Sequence, residues 1–288
     1  MKKVQKIMLI LMAIVALVVF SGCSNKSEKG SKNKTTESTS NVEQGKIVDE
    51  NNPVATMVVE YVNENGNKEE GTIKIELYPD VAPDTVANFI NLANNNFYNG
   101  LTFHRIIENF MIQGGDPNGN GTGGASLSDL NKNINKGSSE DYNYSIKGEF
   151  ATNNFRNNIK FEAGTIAMAR SDYSTLGMAE EGYNSACSQF FIMNTDDKST
   201  NSYLEGNYAA FGKVIEGYDV VTKISKTEVT VNENGTEQSV PKDAPVIKEL
   251  SVDTKGKEYK IPDTINADEV AEKIQAKYME LIQQSYNN

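Results

Sequence analysis

The sequence predicts a mainly β fold, arranged as a closed or nearly closed antiparallel barrel. Many short segments are rich in β-branched and aromatic residues, turn signals separate them, and helical patterns are few. The chain has 288 residues and a hydrophobic fraction of 38%, which can supply a sizeable core. Its net charge of −11 argues against a nucleic-acid partner, because phosphate backbones are bound by clustered Lys and Arg.

Residues 1–22 have the pattern of a signal peptide of a bacterial lipoprotein. A short basic segment precedes an apolar run over residues 7–20, which suits a secretory leader better than a membrane span of about 20 apolar residues. The run ends in the sequence FSGC, which resembles a lipobox, so we expect Cys23 to carry the lipid. An uncleaved anchor is the alternative. Both interpretations place the rest of the chain outside the cytoplasm, attached to the cell membrane.

The sequence divides the remainder of the chain into three parts. Residues 23–52 hold the lipidated Cys and a polar, flexible tether, whose end-to-end distance would be on the order of 30 Å. Residues 53–253 form the predicted globular domain, and residues 254–288 form a C-terminal extension. With Cys23 lipidated, Cys187 has no disulfide partner, and we expect it to be a small buried residue.

The domain begins with two predicted strands and a helix. Residues 56–62 and 71–77 are strand-like, and Asn65-Gly66 between them is typical of a tight hairpin turn. Residues 83–93 predict a helix, because Pro is at its start and its apolar residues recur at helical spacing. Further short strands are predicted at residues 102–107, 110–113, 165–169, 189–193, 209–214 and 246–252.

The C-terminal extension predicts an amphipathic helix that begins near Asn266. Its apolar stripe consists of Val270, Ile274, Tyr278, Leu281 and Ile282. We expect this stripe to dock on the domain's own surface, with a partner protein or a membrane surface as the alternatives. Four acidic residues on the helix disfavour an anionic membrane.

Three ordered blocks of sequence carry the functional signal. The first, residues 103–116, reads FHRIIENFMIQGGD; the second combines GTIAMARS at 164–171 with SQFFI at 188–192; the third, residues 203–214, reads YLEGNYAAFGKV. Together they closely resemble the cyclophilins, over about residues 56–252. The resemblance implies an eight-stranded antiparallel barrel closed by two helices, with a peptide groove on one face. It also implies peptidyl-prolyl cis–trans isomerase activity.

The chemistry of prolyl isomerisation fits the residue types in these blocks. The amide barrier is about 18–20 kcal/mol because resonance gives the C–N bond double-bond character. No covalent bond breaks, so the reaction requires no nucleophile, metal or cofactor. It requires a dry pocket for proline and a donor that favours the twisted state, whose nitrogen lone pair can accept a hydrogen bond.

The resemblance assigns roles to individual residues. Arg105, Phe110 and Gln113 are the candidate catalytic residues: Arg105 as the donor, Phe110 in the proline pocket, and Gln113 holding both Arg105 and the substrate carbonyl. His104, the only histidine, has a supporting role because the chemistry needs no proton shuttle. The remaining substrate-binding candidates are Met111, Ala169, Arg170, Ser171, Gln189, Phe191, Tyr203, Leu204 and Tyr208.

The chain departs from the cyclosporin-sensitive members at two positions. Tyr203 is at a position where they carry Trp, and Tyr208 where they carry His. Because an indole N–H and its contact area are lost, we expect cyclosporin binding to be possible but weakened. Residues 153–161 and 173–183 are predicted loops near the groove that can set substrate preference.

Two other motif matches have weak support. Residues 119–124 fit the dinucleotide-binding pattern G-x-G-x-x-G, but no strand precedes them and no convincing helix follows. Residues 116–121 copy the first half of a calcium-binding EF-hand loop, yet Leu127 occupies the position that needs Glu. We interpret both as one glycine-rich turn beside the groove.

Three functions remain open from the sequence. The leading one is an isomerase that assists the folding of exported proteins at the outer face of the cytoplasmic membrane, with proline-containing peptides and unfolded exported proteins as partners. The second is a non-catalytic module that recognises one proline-containing partner, and the third is a surface adhesin. Retention of the three catalytic candidates favours the first. A monomer is the default state.

Overall fold

The computed structural model describes residues 49–286. The strands in this range are β1 (Val54–Val62), β2 (Lys68–Leu77), β3 (Thr102–Ile107), β4 (Met111–Asp116), β5 (Tyr144–Ser145), β6 (Thr165–Met168), β7 (Phe190–Met193), β8 (Ala210–Glu216), β9 (Val229–Val231), β10 (Gln238–Pro241), β11 (Val246–Asp253) and β12 (Ile265–Asn266). The helices are α1 (Pro83–Asn94), α2 (Leu127–Leu130), α3 (Ala179–Tyr183), α4 (Lys198–Asn201), α5 (Tyr218–Ser225) and α6 (Ala267–Tyr286). Short 3₁₀ turns occupy Ala151–Asn153 and Ser174–Leu176. The predicted signal peptide, the lipid site at Cys23 and most of the predicted tether lie outside the described residues.

Eight of these strands form a closed barrel in the order β1-β11-β3-β4-β7-β6-β8-β2. Every neighbouring pair around it is antiparallel. The predicted eight-stranded antiparallel barrel is therefore confirmed. β1 shows why the sequence folds this way, since its residues alternate between a buried and a half-buried face along the whole strand. The turn to β2 contains Gly66 at φ +79°, as the Asn-Gly signal predicts.

Helices α1 and α5 cover the barrel. α1 begins at Pro83 and buries most of its length, with Phe89 at the centre of the core. The Phe89 ring lies 5.2, 5.7 and 5.3 Å from the rings of Tyr98, Phe190 and Phe211. α5 packs on β2 through buried apolar side chains. This arrangement confirms the predicted closure of the barrel by two helices.

The structure shifts two predicted boundaries. Phe110 lies in the turn between β3 and β4, not at the start of a strand, because Asn109 adopts φ +59° there.

At the start of the domain, the carboxylate of Glu76 accepts hydrogen bonds from the Asp49 N–H and from Asn52 Nδ2, both at 3.0 Å. Asn52 is buried by this contact, so the ordered chain begins before the boundary predicted at residue 53.

The C-terminal helix α6 begins one residue after its predicted cap. Asp268 in its first turn accepts hydrogen bonds from the Asn143 N–H at 3.1 Å and from Asn143 Nδ2 at 2.8 Å. The apolar stripe is half-buried, and no residue of α6 is fully buried. Among residues 49–286, no helix has both the length and the apolar character needed to cross a membrane.

Candidate active site

Strands β3, β4 and β7 bring the predicted polar residues together. Arg105 pairs with Gln113 across β3 and β4, and Gln113 pairs with Phe191 across β4 and β7. The Arg105 Nη1 donates to Gln113 Oε1 at 3.1 Å, and Gln113 Nε2 donates to Gln189 Oε1 at 2.9 Å. The result is a continuous hydrogen-bonded row from the guanidinium across the barrel surface.

An apolar cluster, separate from the main core, lies beside this row. Its buried members are Met111, Phe161, Ala167, Phe191, Met193, Leu204 and Ala210, and Ile107, Phe110, Ile159, Ala169 and Tyr208 pack against them. The Phe191 ring stacks on Phe161 with centroids 6.2 Å apart and meets Tyr208 edge-on at 5.7 Å. This pocket cluster, as we call the set, contains the residues that the resemblance to the cyclophilins assigns to the proline pocket, namely Phe110, Met111, Phe191 and Leu204, with Tyr208 at its edge.

Sequence reasoning missed Phe161 and Ile159 as members of the pocket cluster. Both belong to a Gly- and Asn-rich stretch without strand periodicity, so no local pattern marks them as buried. The loop of residues 153–161 was predicted to lie near the groove, and Phe161 is the residue that brings it there. Asn157 holds the loop in place, since its Nδ2 donates to the carbonyls of Glu149 and Ala210.

The glycine-rich turn at residues 119–124 borders the row of polar residues. Gln189 Nε2 donates to the carbonyl of Gly123 at 2.8 Å and to that of Gly121 at 3.1 Å. The buried Asp116 accepts hydrogen bonds from the N–H groups of Asn118, Asn120 and Gly121. Its carboxylate therefore organises the turn, which agrees with our interpretation of both motif matches as a glycine-rich turn.

His104 lies behind Arg105 on β3 and is 7% exposed. Burial lowers the pKa of its imidazole. The charge of the nearby Arg105 also lowers this pKa, whereas the charge of Asp116 raises it. Within residues 49–286, neither ring nitrogen has a hydrogen-bond partner. Burial therefore favours the neutral form of this enclosed ring.

Arg170 is held inside the domain. Its guanidinium carbon lies 5.4, 5.3 and 4.8 Å from the ring centroids of Phe150, Tyr183 and Tyr208. Its Nε and Nη1 donate to the carbonyls of Asn207 and Ser171, both at 2.9 Å. The side chain thus contacts three aromatic rings and two carbonyls of its own domain, whereas the predicted contact with a peptide involves the backbone of residues 169–171.

Four other residues singled out from the sequence differ in their exposure and hydrogen bonding. The N–H of Ala169 donates to the Gln189 carbonyl and that of Ser171 to Ser185 Oγ, so neither is free for a peptide. Tyr203 lies outside the pocket cluster and is 54% exposed. Cys187 is a free, half-buried thiol, and burial raises its pKa to about 12.

Glu237 is a site residue that sequence reasoning missed. It forms a two-point ion pair with Arg105, with Nε to Oε2 and Nη2 to Oε1 distances of 2.7 Å each. Burial opposes ionisation of Glu237, but the hydrogen bond and charge of Arg105 lower its pKa overall. The Asn234-Gly235 pair was the available signal, because it marks the turn of the β9–β10 hairpin that carries Glu237.

Comparisons with known proteins agree with this geometry. The profile of the family described as cyclophilin type peptidyl-prolyl cis-trans isomerase/CLD matches residues 61–252. Peptidyl-prolyl cis-trans isomerase B of Bacillus subtilis is 38% identical over 169 residues, which cover 59% of this chain and 91% of that protein. A peptidyl-prolyl cis-trans isomerase of Acinetobacter baylyi is 40% identical over 186 residues, covering 64% and 81% respectively. A crystal structure of a cyclophilin type isomerase of Cryptosporidium parvum aligns with a TM-score of 0.47 and 24% identity, over 69% of this chain and 98% of that one.

Proposed function

The chain belongs to the cyclophilin-type peptidyl-prolyl cis-trans isomerases, and from this premise we propose how its residues perform the reaction and where it takes place. The observation that carries the proposal is the position of the Arg105 Nη1, bonded to Gln113 and 3.8 Å from the Met111 sulfur at the edge of the pocket cluster. A charged donor therefore borders an apolar cluster, against which we propose that the proline ring packs.

Arg105 would stabilise the twisted amide. In the planar amide the nitrogen lone pair is delocalised, whereas in the twisted state it can accept a hydrogen bond. A donor that meets the nitrogen only in the twisted state lowers the barrier without tightening ground-state binding. The guanidinium stays charged at all working pH values and cannot be deprotonated by the substrate.

The pocket cluster would hold the proline ring while Gln113 restrains the chain on the other side of the bond. Phe110, Met111 and Phe191 exclude water from the rotating amide, which strengthens the hydrogen bond from Arg105. Because the N–H groups of Ala169 and Ser171 are already used and the Ser171 carbonyl accepts from Arg170, we propose that this segment holds the peptide through its other backbone carbonyls.

The test of this assignment is the isomerisation rate of a short Xaa-Pro peptide with the full chain in detergent and its variants. We expect Arg105→Ala to lower kcat by about 10² to 10³-fold, as for the loss of one donor to a transition state. Arg105→Lys should retain part of the rate, since a point charge remains but the fork of donors is lost. An Arg105→Ala protein with wild-type kcat would show that the donor is another group.

We further propose that this isomerase is exported and lipid-anchored, and that it acts on unfolded exported proteins at the outer face of the cytoplasmic membrane. The support is the sequence of residues 1–23, with its basic start, short apolar run and FSGC ending. Proline isomerisation takes tens of seconds without a catalyst, so it limits the folding of newly exported chains.

Metabolic labelling with an alkyne fatty acid tests the anchor directly. The wild-type chain should acquire the label and sediment with membranes, and Cys23→Ser should lose both properties. Cys187→Ser is the matched control, since its thiol lies in the barrel domain and should not affect labelling. A Cys23→Ser chain that still carries the label would refute the proposed lipid site.

A further inference from the structure

A two-stranded hairpin outside the barrel places a carboxylate on Arg105. β9 and β10 form a sheet of their own, and β10 packs against β3, the strand that carries Arg105. Glu237 immediately precedes β10 and is separated from Arg105 by 132 positions in the sequence. The contact therefore depends on how the hairpin docks on the barrel and cannot arise from local sequence.

The backbone of this hairpin holds Glu237 in place. Asn232 closes the turn, because its N–H donates to the Glu237 carbonyl at 2.8 Å and its side-chain oxygen accepts from the Thr236 and Glu237 N–H groups at 2.9 and 3.3 Å. Gly235 adopts φ +69°, which the turn requires and which other residues rarely adopt. Ser239, two residues further on, is buried against the barrel.

The ion pair uses one edge of the guanidinium and leaves Nη1, on the other edge, to contact Gln113 and Met111. Glu237 occupies the Nε and Nη2 donors, whereas Nη1 lies at the opposite edge, beside Gln113 and Met111. Two fixed points on one edge and one on the other determine the plane of the group. The side chains of Arg105 and Glu237 are 34% and 33% exposed, so without the pair the guanidinium would be free to leave this orientation.

We propose that Glu237 is a positioning residue for prolyl isomerisation, which fixes the guanidinium plane so that Nη1 is aimed at the rotating amide. This inference rests on the proposed role of Arg105. The lone pair of a twisted amide nitrogen extends in one direction, so a donor that is free to rotate meets it only part of the time. If the guanidinium is already held in the correct orientation before the amide twists, the activation free energy does not include the cost of orienting it.

The test is a set of full-length variants measured for kcat and KM with one Xaa-Pro peptide. We expect Glu237→Ala to lower kcat by about tenfold with little change in KM, because misplacing a catalytic group weakens the transition state more than the ground state. The kcat of Glu237→Gln, which keeps an acceptor without the charge, should lie between those of the wild type and Glu237→Ala. Glu228→Ala is the matched control, since it removes the exposed ion pair with Lys242 from the same hairpin and should keep wild-type kcat.

A double-mutant cycle separates positioning from a general effect on the fold. Adding Glu237→Ala to Arg105→Ala should cause no further loss if Glu237 acts through the guanidinium. A further loss of the full tenfold would overturn the inference, and so would a Glu237→Ala enzyme as fast as or faster than wild type. If Arg105→Ala itself keeps wild-type kcat, the proposed role of Arg105 fails, which is a different result.

Selective ¹⁵N labelling of arginine gives a readout independent of activity. The chain has three arginines, Arg105, Arg156 and Arg170, so their Nε–H signals are easily assigned. In wild type and in Glu228→Ala, the Arg105 Nε–H should exchange slowly with water. In Glu237→Ala it should exchange rapidly, while that of Arg170 stays unchanged. An Arg105 signal unaffected by Glu237→Ala would overturn the proposal.

Discussion

Tyr203 is the residue where this chain's inhibitor response should differ from that of the Trp-bearing members. The residue is 54% exposed and lies outside the pocket cluster, so an indole can be accommodated there without repacking the core. We expect weak cyclosporin inhibition of the wild-type chain and tighter inhibition of Tyr203→Trp, because the larger ring adds contact area and an N–H donor. Titration of the peptide isomerisation rate with cyclosporin measures this. Equal inhibition constants for the two proteins would contradict the prediction.

His104 should make the free energy of unfolding of the domain depend on pH, and the substitution His104→Gln should remove this contribution. Burial lowers its pKa below the value of about 6.5 expected in the unfolded chain. Between these two pKa values the unfolded state binds the proton and the folded state does not. The contribution of His104 to the free energy of unfolding is therefore fully present above about pH 6.5 and is lost as the pH falls below that value. Protonation would also bring a positive charge next to Arg105.

Urea unfolding of the wild type and His104→Gln at pH 7.5 and 5.5 checks this prediction. The unfolding midpoint of the wild type should decrease on acidification by more than that of the variant. Because His104 is the only histidine in the chain, no other imidazole contributes to the difference. Equal decreases in the two proteins would show that the carboxylates alone are responsible.

Single residues also show what the sequence could and could not predict about the site. Arg105, Gln113 and Phe191 were singled out by the resemblance to the cyclophilins, and the structure brings them together on three adjacent strands. Phe161 and Glu237 were missed because each comes from an irregular or docked segment, where contact depends on tertiary folding. The surroundings of the half-buried Arg170 side chain, three aromatic rings and two carbonyls, also depend on tertiary folding and were not predicted from the sequence.

Among the secondary-structure elements, α1 depends on a carboxylate distant in sequence. Ala82 at its N-terminus has no capping side chain, and the buried Glu149 accepts hydrogen bonds from the Asp84 and Thr85 N–H groups at 3.1 and 2.8 Å. We expect Glu149→Ala to lower the free energy of unfolding by about 2 to 3 kcal/mol, since it leaves buried helix donors without an acceptor. Chemical denaturation measures the change.

Two further variants make the interpretation of that result specific. Glu149→Gln should lower the free energy of unfolding by less than Glu149→Ala does, because the amide oxygen still accepts one of the two hydrogen bonds. Glu140→Ala removes an exposed carboxylate from the preceding loop and should alter stability by less than about 0.5 kcal/mol. If the Ala variants at both positions behave alike, Glu149 does not cap the helix.

Elements with strong periodicity were predictable, and elements that depend on docking were not. β1 and β2 alternate regularly, and α1 combines an initial Pro with an apolar stripe, so each was located within a few residues. The β9–β10 hairpin was overlooked because its strands are only three and four residues long, and because β10 buries the polar Ser239 while its Val240 is exposed. Its Asn-Gly turn is the same signal that located the first hairpin, but no alternation of apolar and polar residues accompanies it.

For the molecule as a whole, β11 closes the barrel and α6 is an addition to it. β11 pairs with β1 along its whole length and with β3 at Val246, and it buries Ile247 and Leu250. By contrast, α6 buries no residue completely and is joined to the domain through Asp268 and the short β5–β12 pair. The two segments should therefore respond very differently to removal.

Truncation of the full chain after residue 260 or after residue 245 tests this difference. The first deletes α6 and the short strand β12 but keeps the Tyr259 carbonyl that accepts from Asn91 Nδ2 of α1 at 3.0 Å. We expect it to unfold cooperatively and to keep kcat/KM within about threefold, because α6 is a separate unit of local stability. The second removes β11 and leaves two unpaired strand edges, so it should neither unfold cooperatively nor catalyse. Loss of catalysis in the first truncation would mean that α6, through its contact with the turn at Ser174–Leu176, helps to shape the groove.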